Sequence, residues 1–140
     1  MSSFNSYLYA FGVAEQFLPD EYNLQNNQLT VPNTFVLSRT KNGETLSVYL
    51  DNVWDLSPYS PKCHCRLNFD SWLENAREND FLYCQIRAEM KKISFALLYI
   101  KSGKSIIKSI EQRHTVLRQF AAIAYKNGCT LQQLFSDVAY

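Results

Sequence analysis

The sequence predicts an α+β fold, in which an N-terminal segment containing a β-hairpin packs on a C-terminal bundle of three or four helices. The dipeptide Asn42-Gly43 joins two runs of β-forming residues, and this pairing is a strong local signal for a hairpin. From Ser71 onward, apolar residues recur at spacings of three and four, which predicts successive amphipathic helices. The length of 140 residues and the 46% hydrophobic content fit a folded chain with a real core.

The formal charge of the chain changes sign near residue 70, where the predicted helices begin. Residues 1–70 contain four basic and seven acidic side chains, a formal charge of −3, whereas residues 71–140 contain ten and six, a formal charge of +4. Such an asymmetry indicates two parts with different electrostatic roles. We therefore predict an N-terminal extension at residues 1–70 and a helical domain at residues 71–140.

The N-terminal half contains one clear element. The stretch from Tyr7 to Val13 is aromatic and β-prone, and the stretch from Asn23 to Asn33 reads as loop. Thr34 to Leu50 predicts the hairpin, with a type I′ turn at Asn-Gly, because both residues tolerate positive φ. Alternating apolar residues predict one buried face of the second strand, formed by Leu46, Val48 and Leu50.

The hairpin is followed by a strap, Asp51 to Asn68, whose prolines at positions 58 and 61 exclude a helix interior. We expect this strap to be extended. Its large apolar residues are expected to pin it to the helices, and they are Trp54, Leu56 and Tyr59.

Capping patterns and apolar spacing place the helices. Ser71-Trp72-Leu73-Glu74 predicts a short first helix that ends near residue 80, because a hydroxyl followed by Glu three residues later caps a helix start. A second helix runs from Phe81 and stops at Gly103. A third opens at Ser105 or Ser109 and ends at Asn127-Gly128, and a fourth starts with the capping pattern Thr130 to Gln133.

The residues that could carry catalysis or bind metal are few. Cys63, His64, Cys65 and Cys84 supply four potential zinc ligands, but adjacent side chains of an extended segment point in opposite directions. We therefore predict buried free thiols rather than a metal site. His64 and His114 lack a nucleophile motif, the carboxylates are scattered, and no glycine-rich loop could hold a phosphate. The sequence predicts no enzyme, no cofactor and no small-molecule substrate.

Targeting signals are lacking in the sequence as well. No apolar run is long enough to cross a bilayer, and the N-terminal residues do not resemble a secretory signal. We expect a cytoplasmic protein with no membrane partner.

The basic stretch from Arg87 to Lys126 is the main functional signal. It contains nine basic and two acidic residues, a formal charge of +7, which is typical of a surface that binds an anionic polymer. The alternative is that these lysines only solvate the outer faces of a helical bundle. The imbalance is too large for internal salt bridges to absorb, so we predict contacts with DNA phosphates. The predicted DNA-binding residues are Arg87, Lys91, Lys92, Lys101, Lys104, Lys108, Arg113 and Arg118.

Five short motifs, spread over about residues 50–140, resemble the N-terminal part of phage- or island-type tyrosine recombinases, which are site-specific integrases. They are helix-and-spacing patterns rather than a catalytic box. The motifs are Trp54-Asp-Leu-Ser-Pro-Tyr59, Leu67-Asn-Phe69 before Trp72-Leu73, Phe95 to Gly103, Ser109 followed by Leu117-Arg-Gln-Phe-Ala121, and Leu131 to Ser136.

The resemblance implies that residues 71–140 form a SAM-like core-binding domain that holds the recombination-site duplex. The implied partners are double-stranded DNA and other integrase protomers. The family's catalytic domain follows the core-binding domain and has no counterpart in these residues, so Tyr140 is not expected to be its nucleophile. The predicted function is the DNA-binding portion of an integrase, without strand cutting.

A rival function belongs to another class. The chain could be a stand-alone interaction or regulatory module with no DNA binding, which uses aromatic residues of the N-terminal half as its contact surface. A buried core is the commoner fate of such residues. The candidate residues are Tyr7, Tyr9, Phe11, Tyr22, Phe35 and Tyr49.

Overall fold

The computed structural model describes residues 3–22, 30–74, 79–100 and 106–138. Two small antiparallel sheets and a set of helices give an α+β fold, which confirms the predicted class. The elements in chain order are α1 (Ser3–Ala10), β1 (Val36–Arg39), β2 (Thr45–Val48), β3 (Val53–Asp55), β4 (Arg66–Asn68), α2 (Phe81–Tyr99), α3 (Ile106–Lys126) and α4 (Leu131–Val138).

The N-terminal residues form a helix despite their β propensity. Phe4 and Leu8 lie one helical turn apart and are both buried, so a helix places them together on the core. Tyr9 and Phe11 are exposed instead. Tertiary packing of two residues therefore overrides the local preference of the segment from Tyr7 to Val13.

The predicted hairpin is present as β1 and β2, with Arg39 opposite Thr45. Two details of the prediction are wrong. Of the turn residues only Gly43 has positive φ, at 84°, so the turn is not type I′. The expected buried face is also wrong, because Leu46 and Leu50 are exposed while Ser47 is buried. The Ser47 hydroxyl accepts the backbone N–H of Asp55 at 2.9 Å, which ties the first hairpin to the next strand.

The strap is a second hairpin rather than a single extended connector. β3 pairs with β4, with Trp54 opposite Leu67, and a short 3-10 turn at Ser57–Tyr59 lies between the strands. The three expected anchors Trp54, Leu56 and Tyr59 are buried, as predicted. The Tyr59 hydroxyl also donates to the Phe17 carbonyl at 2.7 Å.

The prediction that a short helix begins at Ser71 is wrong. Ser71 has a φ of 59°, and residues 71–74 form bends and a turn. Trp72 explains this geometry, because its indole N–H donates to the Phe69 carbonyl at 2.9 Å and its ring stacks on Tyr83. These contacts fold the chain back on itself before α2 begins.

The three helices of the C-terminal half, α2, α3 and α4, lie where the spacing of apolar residues predicts them. Asp80 caps α2 by accepting the Tyr83 N–H at 3.1 Å. Gly128 ends α3 with a φ of 68°, and Thr130 and Gln133 cap α4 reciprocally, as predicted. Ser109 lies inside α3 rather than at its start. The predicted stop at Gly103 and the predicted start at Ser105 lie outside the described residues.

A single hydrophobic core joins the two halves of the chain. Phe95 of α2 packs edge-on against Phe35 and Tyr49 and stacks on Tyr99. Phe69 contacts both Trp54 and His114 of α3. The hairpins are therefore held against α2 and α3, which fixes the position of the basic residues on those helices.

Candidate nucleic-acid interface

The structure separates the eight predicted DNA-binding residues into groups. Lys101 and Lys104 lie outside the described residues. Arg118 is occupied by backbone contacts, and Lys108 and Arg113 are exposed on different sides of α3. The remaining three, Arg87, Lys91 and Lys92, share one pocket.

Arg118 fixes the chain between β4 and α2. Its guanidinium donates to the carbonyls of Asn68 at 2.7 Å, Asp70 at 2.6 Å and Ser71 at 3.1 Å. His114, one turn earlier, donates from Nε2 to the same Asn68 carbonyl at 2.6 Å. Burial lowers the pKa of His114, and the charge of Arg118 acts in the same direction. Both side chains therefore attach α3 to the second hairpin.

The shared pocket lies where α2 passes the end of the first hairpin. It has a volume of about 430 Å³ and is open to solvent. Arg87, Lys91 and Lys92 line its α2 side, while Asn33 and Asn52 line its hairpin side. Successive turns of α2 place residues 87 and 91 on one face, since they are four apart. The pocket therefore combines three cations with neutral hydrogen-bonding groups.

Lys91 is the most constrained of the three. It is only 7% exposed, and its Nζ donates to the Leu50 carbonyl at 2.9 Å. Its pKa is lowered to about 8, chiefly by burial and also by the neighbouring Arg87, while Asp51 and Asp70 oppose the shift. An ammonium group in this position is poorly solvated, so an added anion would be favoured there.

Arg87 is held in place by several groups. Its guanidinium lies 3.7 Å from the Asp70 carboxylate, 3.8 Å from the Cys84 sulfur, and 5.5 Å from the centre of the Tyr83 ring. Asp70 in turn accepts a hydrogen bond from the Tyr83 hydroxyl. These contacts orient the guanidinium at the pocket wall, and Lys92 is exposed at the rim.

The other exposed bases do not join this pocket. Lys108 lies beside Lys62, His64 and Glu111, at a shallow depression against the strap. Arg113 lies on the opposite side of α3, beside Ile93 and Phe120. The two residues are five positions apart on a helix, so they point about 140° apart. The basic residues of α2 and α3 therefore do not form one continuous face.

The prediction of buried thiols is wrong for Cys63, which is exposed, and Cys84 is only partly buried. Cys65 is buried, and burial raises the pKa of its thiol to about 12. His64 is exposed. Within the described ranges, no group of three or more His, Cys, Asp or Glu side chains is arranged to hold a metal ion. His64 instead lies 3.8 Å from Glu111.

The aromatic residues of the rival hypothesis have mixed positions. Phe35 is buried, and Tyr7, Tyr22 and Tyr49 pack against the core. Tyr9 and Phe11 are exposed, at 58% and 70% of their surface. Two of the six residues are therefore free to contact another molecule.

Sequence reasoning missed the part of the pocket contributed by Asn33 and Asn52. Both lie in segments read as loop or strap, and no motif marks them. They line the same pocket as Arg87 and Lys91 only because the hairpins pack against α2.

In the part of the chain that the structure describes, none of the helices combines the length and apolarity needed to cross a membrane. Comparisons with protein-family models, with curated proteins and with solved structures found no match.

Proposed function

We propose that this chain binds double-stranded DNA and serves as the DNA-holding portion of a site-specific integrase of the tyrosine recombinase type. The observation that carries the proposal is the pocket lined by Arg87, Lys91 and Lys92. The resemblance of the motifs across residues 50–140 to tyrosine recombinases supports the same function, as does the formal charge of +7 between Arg87 and Lys126.

Phosphate is the chemical group that suits this pocket. A phosphate oxygen would offset the charge of the buried Lys91 ammonium, whose pKa is already lowered to about 8. Arg87 offers a planar donor group that matches phosphate oxygens. Asn33 and Asn52 can donate from their amides to the same group. Protein–DNA interfaces make most of their hydrogen bonds to phosphate and sugar with side chains of these types.

The proposed contact set is narrower than the eight residues predicted from the sequence. Arg118 serves the fold through three backbone carbonyls. Lys108 and Arg113 could reach a duplex only as separate, peripheral contacts, because they lie on different sides of α3. Arg87, Lys91 and Lys92 form the centre of the proposed interface.

Salt-dependent binding of a fluorescently labelled duplex tests the proposal. Three phosphate contacts predict that the logarithm of the binding constant falls with the logarithm of salt concentration with a slope of roughly −2.7, about −0.9 for each contact. Lys92→Ala should make the slope less negative by about 0.9, because it removes one exposed cation at the pocket rim. Lys41→Ala, at the exposed hairpin turn, supplies the matched control and should leave the slope unchanged.

The proposal fails if no duplex binding is seen at low ionic strength, or if binding does not depend on salt. If Lys41→Ala and Lys92→Ala reduce binding equally, the interaction is diffuse attraction rather than contact at the pocket.

A stand-alone interaction module is the second candidate function. The exposure of Tyr9 and Phe11 at the end of α1 favours it. Under this function, a double Tyr9→Ser, Phe11→Ser variant would lose its protein partner, while Lys92→Ala would retain it. Under the DNA-binding function, the two variants would show the reverse pattern in the duplex assay.

A further inference from the structure

A groove across α2, α3 and α4 adjoins the proposed DNA pocket, and Lys92 lines both. One end has a volume of about 580 Å³ and lies between α2 and α4, where Ile93, Leu131 and Phe135 form apolar walls. The other end, of about 120 Å³, lies between α2 and α3 beside Val116 and Phe120. Ile93 lines both ends, and the rings of Phe120 and Phe135 lie 5.5 Å apart. The two depressions therefore form one apolar surface.

Large apolar side chains are unusually exposed along this surface. Val116 is 49% exposed, Phe120 38% and Phe135 40%. On α3, residues 113, 116 and 120 are three and four apart and so lie on one stripe. A contiguous apolar surface of this kind, rimmed by polar groups, is typical of a protein interaction site rather than of a phosphate-binding surface.

Among the described residues that line the groove, the charged side chains that remain available to a partner are basic. Lys92 lines the wider end and Arg113 the narrower end, and both are exposed. The acid in the wider end, Glu89, is engaged: its carboxylate accepts the N–H groups of Leu131 at 2.8 Å and Gln132 at 3.0 Å, at the start of α4. Its negative charge is therefore matched by the positive end of that helix.

We propose that this groove binds an amphipathic helix of a partner protein, with apolar side chains facing Ile93, Phe120 and Phe135 and acidic side chains facing Lys92 and Arg113. Helix-in-groove recognition uses apolar anchors at spacings of three and four. The charges on the rim select a partner whose helix has acidic edges, because like charges across an interface are strongly unfavourable. Lys92 is shared with the proposed DNA pocket, whereas the apolar walls of the groove and Arg113 lie outside that pocket. Variants of the apolar walls and of Arg113 therefore test this proposal separately from DNA binding.

A designed helical peptide provides the probe. It has leucines at positions i, i+3, i+4 and i+7 and glutamates along both edges, and a matched peptide carries lysines in place of the glutamates. We expect the acidic peptide to bind, as measured by fluorescence anisotropy, and the basic peptide to bind about tenfold more weakly or worse.

Three variants locate the site. Phe135→Glu should lower the affinity for the acidic peptide by about tenfold or more, because it places a negative charge, like those of the peptide, on the apolar wall. Arg113→Glu should reduce the preference for the acidic over the basic peptide. Phe81→Glu is the matched control: Phe81 is 80% exposed at the start of α2, away from the groove, and this change should leave peptide affinity unaltered.

Equal binding of the two peptides, or an unchanged affinity in Phe135→Glu, would overturn the proposal. Sedimentation of the chain alone identifies another occupant: a dimer that dissociates in Phe135→Glu would mean that a second copy fills the groove. If Phe135→Glu lowers the affinity for the labelled duplex as much as Lys92→Ala does, the groove is part of the DNA interface and the proposal is wrong. Loss of acidic-peptide binding in Phe135→Glu with unchanged duplex binding is the expected result.

Discussion

At the scale of single residues, similar basic side chains have different roles that depend on where the fold places them. Arg118 donates to three backbone carbonyls, Lys91 is buried against the Leu50 carbonyl, and Lys92 is exposed one residue later. Hydrogen bonds from charged groups to the backbone typically contribute about 1.5–3 kcal/mol each to stability. Basic residues can therefore stabilise the fold or face a ligand, and the sequence alone does not distinguish these roles.

Lys91 should make stability depend on pH. Its pKa is about 8 in the folded chain and 10.5 ordinarily, so between these values the unfolded chain holds the extra proton. Below pH 8 the folded chain carries the full free-energy cost of burying the charged ammonium group. Between about pH 8 and 10.5 the folded chain releases this proton before the unfolded chain does, so the free energy of unfolding rises with pH. Lys91→Met removes this term. We expect wild type to gain stability relative to Lys91→Met between pH 7.5 and 9.5, measured by urea unfolding.

The comparison with Lys91→Met isolates this group, because the buried thiol of Cys65 and the buried tyrosines act equally in both proteins at alkaline pH. Lys92→Met, which removes a positive charge from solvent, controls for the change in net charge. A difference between wild type and Lys91→Met that stays constant over this pH range would contradict the prediction.

At the scale of secondary-structure elements, helix ends are specified locally, whereas strands and connections depend on their neighbours. The Thr130 and Gln133 cap and the Gly128 stop were evident from residue type, because each satisfies backbone groups within a few residues. In contrast, the buried face of β2 was predicted wrongly. Ser47 is buried because its hydroxyl bonds to Asp55 in the second hairpin, a contact that the alternating pattern of Leu46, Val48 and Leu50 does not reveal.

Helix α4 should depend on a residue from α2. The Glu89 carboxylate accepts the first N–H groups of α4, and caps of this kind contribute roughly 0.5–2 kcal/mol. Glu89→Ala is therefore expected to lower the free energy of unfolding by about 1 kcal/mol and to speed hydrogen exchange in α4. The measurements are urea unfolding and amide exchange.

Gln85→Ala is the matched control, since residue 85 is exposed one turn earlier on α2. It should change neither stability nor exchange in α4. If α4 exchanges at the same rate in Glu89→Ala as in wild type, the carboxylate is not an important cap.

At the scale of the whole molecule, the acidic and basic parts share one core. Phe95 of the basic half contacts Phe35 and Tyr49 of the acidic half, and Phe69 contacts His114 of α3. Removing either part would expose large aromatic surfaces of the other. The predicted boundary near residue 70 therefore marks a change of charge across a continuous hydrophobic core.

This shared core predicts that the chain unfolds in one cooperative transition. Tryptophan fluorescence, which reports on Trp54 of β3 and on Trp72 before α2, should give the same midpoint as helical circular dichroism. Separate fragments 1–70 and 71–140 should each lack a cooperative transition, because each loses half of the core. A 71–140 fragment that melts cooperatively by itself would show instead that the helical domain is autonomous.

The sequence by itself determined the α+β class, the presence of the first hairpin, the C-terminal end of α3, the start of α4 and the positive charge of the C-terminal half. These features depend on residue type and on short-range spacing. Only the tertiary structure decided that Tyr7 to Val13 does not form a strand, that the strap is a second hairpin, and that Arg87, Lys91 and Lys92 meet in one pocket while Lys108 and Arg113 point apart. The physical reason is that burial and hydrogen bonding join residues far apart in the chain. Asn68 and Arg118 are one such pair, and local patterns contain no information about which distant partner each residue meets.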